Sequence, residues 1–375
     1  MSFIRLPLLP LALTLTSAMS AASQLMFIGT YTKEGSQGIY AVRLDPATGA
    51  LGTPALAAAT PNPTFLAWHP SKPVLYALGE GPGPDGKISG GAAAFAYEAA
   101  TGKLSPLNSR GAGGGNTTHL AADASGRMLV TVSYGGGQVA SYPLAADGRI
   151  GERASFIVHQ GDLGPNRTRQ DKPHPHSVTI SPDNRFAIVA DLGLDRIFRY
   201  GLDPAAGVLI APETFPAPAG AGPRHSKFSA DGRRFYVVNE LACTTTVYDC
   251  DAASGGLALR QTVSTLPAGF TGQNTCAEIR VHPNGKFVYA SNRGHESIAV
   301  FAIQADGTLQ LVELTPCGGK HPRNFNLTPD GRWLVCANMN SDNLVSFQVD
   351  PATGRLTATG STVTVPQAVC VLFAP

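Results

Sequence analysis

The sequence predicts an all-β protein, a seven-bladed β-propeller built from four-stranded antiparallel blades, and three observations carry that prediction. An alternating apolar segment ending in a glycine turn recurs seven times. Two further strand patterns recur between those copies. The second of these lacks a copy at one end of the chain and finds it at the other. A chain of 375 residues would allow two or three average domains, but β folds of this size are often one unit.

The glycine-turn segment reads IYAVRLDPATGAL at 39–51, VASYPLAADGRI at 139–150 and LVSFQVDPATGRL at 344–356. Its marker glycines are Gly49, Gly102, Gly148, Gly207, Gly255, Gly307 and Gly354, which gives a period of about 51 residues. Before each tight turn lies a strand such as HPHSVTISP (174–182), PRHSKFSA (223–230), CAEIRVHP (276–283) or HPRNFNLTP (321–329). After the turn comes a second strand, as in FAIVADL (186–192), FYVVNE (235–240) and FVYASNR (287–293). Alternation of β-branched and aromatic residues, punctuated by PDG, PNG and ADG turns, is strand–turn–strand chemistry. The seventh copy of that second strand is LMFIGTY at 25–31, whereas the seventh first strand is PQAVCVLFAP at 366–375. Both chain ends therefore belong to one closing blade, which removes free sheet edges. A solenoid would need no such exchange between termini.

In a propeller the start of each innermost strand and the end of the next strand share one face. The connections on that face are the irregular ones, including Gly81–Gly90 and His159–Pro173. Functional groups favour such loops on a rigid scaffold. Counting six back from the residue that opens each tight turn gives His176, Arg224 and Arg323. Counting ten forward gives Glu80, Glu240 and Arg293. A ring of titratable groups near the axis is costly unless paired or solvated. It is either a clasp of ion pairs closing the channel mouth or a pocket for an anionic ligand, and the pocket is the favoured reading. His119, His174, His225, His295 and His321 fall near the same face. His69 and His282 precede turns on the far face and read as turn residues; Asp191 and Asp195 read as caps of the turn in DLGLD.

The 28 basic and 26 acidic side chains nearly cancel and form no long runs, so no basic stripe is available for nucleic acid. Arg5, an apolar run from Leu6 to Leu15 and small residues up to Ala22 describe an export signal. That run is too short to span a bilayer. Residues 1–22 are thus expected to be a cleaved leader, 23–375 the propeller, and the mature protein periplasmic or secreted. Six cysteines lie in the second half without metal-site spacing; Cys243 and Cys276 share a face and are the pair to test for a disulfide. GAGGG at 111–115 lacks the context of a phosphate loop.

GTYT (29–32), RQDKPHPHSV (169–178), DLGLDRI (191–197), GPRH (222–225), YVVNE (236–240), YASNRGHESIAVF (289–301) and HPRNF (321–325), in this order, resemble the lactonase family of seven-bladed propellers. The best-known members hydrolyse 6-phosphogluconolactone, and related enzymes cyclise carboxymuconate. The resemblance implies hydrolysis of a sugar-acid lactone, a small anionic substrate class, with no cofactor and no metal. It also implies catalytic roles for His176, Arg224, Glu240 and Arg293. His174, His225, Glu80, His295 and Arg323 are then read as substrate-binding. Arg224 and Arg293 suit a carboxylate, phosphate or oxyanion. Glu240 and His176 suit base and acid, in either assignment. A cycloisomerase and a non-catalytic binding propeller are the alternatives.

Overall fold

The structure, a computed structural model, describes residues 23–375 apart from Pro84, so the expected leader lies outside the described residues. It contains 28 strands, numbered in chain order from β1 (Gln24–Thr30) to β28 (Ala368–Phe373), arranged as seven four-stranded antiparallel sheets. One short 3-10 turn, Met339–Ser341, is the helical content of the described residues. Six blades use consecutive strands. The seventh has the order β28-β1-β2-β3, with β2 at Gly38–Leu44 and β3 at Ala55–Ala59. Register pairs Met26 with Phe373 and Ile28 with Val371, so the two chain ends close the ring as expected.

The core lies between neighbouring blades. Met26, Ile28 and Val42 of the closing blade pack with Trp333, Val335 and Leu344 of the blade before it. The marker glycines explain why the repeat is spaced as it is. Each has a positive φ, between 70° and 86°. Each also sits against the preceding blade: a Cβ would lie 2.5 Å from the Phe287 ring at Gly354 and 2.5 Å from the Trp333 ring at Gly49. Both the left-handed backbone and the close approach favour glycine. Several of their carbonyls accept bonds from that neighbour, as in Tyr76 Oη to Gly148 at 2.8 Å and Tyr289 Oη to Gly354 at 2.9 Å.

His69 and His282 hold turns, as their position suggested. Each accepts turn N–H groups at Nδ1, and Nε2 reaches a carbonyl of the next blade, Gly126 or Gly331, at 3.0 Å. The segment 81–90 departs from expectation. It is not an irregular loop, because β5 (Val74–Pro82) and β6 (Ile88–Glu98) continue as a long hairpin paired out to Pro82 and Ile88. Its glycines allow tight packing: a Cβ at Gly91 would fall 2.0 Å from the Arg110 carbonyl. The 159–173 connection is irregular, and His159 ties its root to Asp191 at 2.7 Å and to Tyr200 at 2.7 Å.

The innermost strands carry a recurring defect. In β12 (Pro175–Ile180), β16 (Pro223–Phe228) and β24 (Pro322–Leu327), the register slips at His176, Arg224 and Arg323 respectively. The same slip falls at Thr118 in β8 (Thr117–Ala122), at Val369 in β28, and across Ala277–Glu278 in β20 (Thr275–Val281). Such a bulge sets two residues against one and re-aims a side chain. Strict alternation would send one residue of each adjacent pair outward. The bulge lets His176, Arg224, Arg323, Thr118 and Val369 all line one cavity on the axis.

Candidate active site

That cavity, of about 820 Å³, opens on the face that collects the starts of the inner strands and the ends of their partners. Glu240 follows β17 (Arg234–Asn239) and is pinned at both ends of its peptide. Its N–H donates to Gly222 at 2.7 Å, and its carbonyl accepts from Cys276 in the next blade at 3.1 Å. Asp195 stiffens the approach to Arg224 by accepting the N–H groups of Gly220 and Gly222 at 2.6 and 2.8 Å. Asp191 accepts from His174, Gly193 and Leu194 and so caps the DLGLD turn as expected, whereas the Asp195 carboxylate serves the 217–222 connection instead.

Three arginines converge on the Glu240 carboxylate. Arg224 Nε donates to Oε2 at 2.7 Å, Arg293 Nη2 lies 3.1 Å from the same oxygen, and Arg169 binds Oε1. Arg224 Nη1 also donates to the Ala277 carbonyl at 2.6 Å, and Arg293 Nη2 to that of Cys276 at 2.7 Å. His176 stands beside them with Nε2 at 4.0 Å from Glu240 Oε2, while its Nδ1 is buried without a partner. Burial alone would raise the Glu240 carboxyl. Arg293, Arg224, His176 and Arg169 outweigh it and hold the group well below the usual carboxylate range. Burial, then Arg293, pulls the Arg224 guanidinium down to about 9. Burial, then Arg224 and His225, holds His176 well below 6.5, so it is a neutral imidazole.

His225, Glu80 and Arg323 also line the cavity, with Glu80 and Gly79 on the wall formed by β5. Arg323 donates to the Tyr31 hydroxyl at 3.1 Å and meets no carboxylate among the described residues. The structure does not bring His174 or His295 into the cavity. His174 is stacked beneath Tyr134, with ring centroids 4.0 Å apart, and its nitrogens bind the Tyr134 carbonyl and Asp171. His295 turns to Ser297 at 2.7 Å and packs edge-on to Phe270. Cys243 and Cys276 do meet on this face, as free thiols. A hydrogen bond from the Cys276 thiol helps pull Cys243 down to about 7.

Arg169, Tyr134, Tyr31 and Glu278 were not among the site residues expected from the sequence. Arg169 lies in a connection, where no periodicity points to it, whereas Tyr31 ends LMFIGTY and Tyr134 stands ten residues beyond Ala124, both at the repeat position of Glu240 and Arg293. Glu278 sits five residues before Pro283, level with His225 five before Ala230. The same alignment moved by one position would have found it, but only if a bulge were expected.

Residues 25–373 match the family described as "Lactonase, 7-bladed beta-propeller". The chain belongs to that family. It is 37% identical to the 6-phosphogluconolactonase of Bacillus subtilis over 348 residues, covering 92% of this chain and 97% of the relative. The periplasmic gluconolactonase of Pseudomonas aeruginosa superposes with a TM-score of 0.88 at 32% identity, covering 94% of this chain and 99% of the other. A protein from Lactobacillus plantarum superposes with a TM-score of 0.86 at 34% identity, covering 94% and 100%. The protein is accordingly a lactonase-type enzyme acting on a small lactone.

Proposed function

We infer that the enzyme opens the lactone of a sugar acid to the free acid, without a metal, and that it works outside the cytoplasm. The observation that carries this reading is the buried Arg224–Glu240–Arg293 cluster at the floor of an open polar cavity. Arg224 Nη2 and Arg293 Nη1 form no hydrogen bond among the described residues, which leaves donors for a carbonyl oxygen that becomes an oxyanion. Preorganised donors of this kind typically contribute about 10²–10³-fold in rate. Glu240 serves the site by fixing the two guanidinium groups. A carboxylate held in three ion pairs is a weak base, so its role is orientation.

Arg323, lacking a carboxylate partner, favours a substrate that carries negative charge or a row of acceptor hydroxyls. The relatives' names, a 6-phosphogluconolactonase and a periplasmic gluconolactonase, bracket the two substrate forms to try. The basic–apolar–small order of residues 1–22 supports export, and with it an unphosphorylated aldonolactone. Among the described residues no helix is long and apolar enough to cross a membrane.

Proton release from glucono-δ-lactone and from its 6-phosphate, measured above the spontaneous rate, tests the reading. Catalysis should survive exhaustive chelation with EDTA. Turnover that disappears with EDTA and returns with a divalent ion would overturn the metal-free route.

A further inference from the structure

Beneath the arginine cluster, on the axis, lies a second polar group that the preceding roles leave unused. Glu278 is fully buried, and four donors converge on its carboxylate. Oε1 accepts the Ile279 N–H at 3.0 Å and pairs with Arg280 at 3.1 Å. Oε2 receives Asn324 Nδ2 and lies 3.1 Å from His225 Nδ1. The Asn324 amide cannot turn round, because its Oδ1 already accepts the Val371 N–H at 2.9 Å. A carboxylate so surrounded acts only as an acceptor, and His225 Nδ1 must therefore carry the proton. The lone pair is left on Nε2, which forms no hydrogen bond among the described residues, on a ring that lines the cavity.

We propose that His225, oriented by Glu278, is the general base and then the general acid of lactone opening; the proposal rests on the lactonase reading above. The other candidates are less suited. Glu240 is tied up by three guanidinium groups. His176 has one buried nitrogen without a partner and the other 4.0 Å from a carboxylate, so nothing fixes its tautomer.

The protons balance with one imidazole. As water attacks the acyl carbon, its proton passes to His225 Nε2, the new C–O bond forms, and the carbonyl π pair moves onto the oxygen beside Arg224 and Arg293. Collapse restores the C=O bond and breaks the ring C–O bond, and the imidazolium returns its proton to the departing ring oxygen. The new carboxylic acid then ionises to solvent, releasing one proton per turnover. Glu278 stabilises the transient imidazolium as a positioning residue.

The groups facing His225 keep it neutral at rest. The charged groups among them are Arg224 and Lys227 from its own strand, Glu278 and Arg280 from β20 and Arg323 from β24, with the rings of His176 from β12 and His119 from β8 alongside; burial and the cations outweigh Glu278. Burial first, then Arg224 and Lys227, hold its pKa well below 6.5.

The test compares wild type with His225→Gln, Glu278→Gln and Glu278→Asp in the full chain, with glucono-δ-lactone as the probe. His225→Gln should lower kcat about 10²–10⁴-fold at little change in KM, and remove the acid limb of the pH profile. Glu278→Gln should lower kcat and displace that limb to lower pH, and Glu278→Asp should restore part of both. Wild-type kcat and an unchanged acid limb in His225→Gln would overturn the proposal. Should that variant fail to fold, ring ¹⁵N NMR of the wild type decides: a protonated Nδ1 and bare Nε2 at pH 7 are expected, and the opposite tautomer overturns the dyad. Absence of wild-type lactone turnover would instead count against the lactonase reading, and the NMR result would still judge the dyad.

Discussion

Three guanidinium groups share the Glu240 carboxylate, so the two obvious substitutions there have different costs. Arg224→Ala leaves the carboxylate paired with Arg293 and Arg169, and should lower lactone turnover about 10²–10³-fold with a modest change in melting temperature. Glu240→Gln strands three cations, two of them buried, and should cost about 3–5 kcal/mol of stability as well as activity. Paired melts and rates check both, and equal destabilisation by the two variants would count against this division. The histidines add a pH dependence. His119, His176 and His225 are held well below 6.5 first by burial, and burial then Arg293 pushes His321 down to about 4. The unfolded chain therefore binds more protons than the folded one below about 6.5, and stability is lost as pH falls. The melting temperature should decline between pH 6.5 and 4, and a flat profile would contradict neutral burial.

At the scale of the element, the glycine turns show how a short motif encodes contact between blades. Gly354 combines a φ of +73° with a Cβ position 2.5 Å from the Phe287 ring. Gly354→Ala should destabilise the fold by about 1–3 kcal/mol, readable as a lowered denaturant midpoint. The strand pattern and these turns were legible because their periods are local. The bulges were not, since a slip by one residue leaves the composition of PRHSKF or CAEIRV unchanged. Counting from the turns nevertheless placed His176, Arg224, Glu240 and Arg293 together, because blade geometry fixes distance from the turn whatever happens at the bulge. His174 and His295 were misjudged for the opposite reason: they lie in connections, and Tyr134 and Ser297 decide where their rings point. Loop 159–173 brings Arg169 to Glu240 by a path that no repeat describes.

At the scale of the molecule, one strand closes the ring. β28 pairs with β1 and buries Val369, Val371 and Phe373. Each such side chain is worth roughly 1.5–3 kcal/mol, so removing Gln367–Pro375 approaches the whole stability of an ordinary domain, about 5–15 kcal/mol. The truncated chain should show no cooperative melt at the parent temperature, and parent-like melting would refute the closure. The same closure positions the chemistry, since Val369 and Tyr31 from the two chain ends line the cavity beside Arg323.

We propose that this cavity opens lactones with Arg224 at the reacting carbonyl. Initial rates of proton release from glucono-δ-lactone, taken for wild type and Arg224→Ala side by side with their melts, test it most directly. Enzyme-dependent release is expected to fall about 10²–10³-fold in a variant that remains folded. Equal turnover by the folded variant, or no acceleration by the wild type with either the free or the phosphorylated lactone, would contradict it.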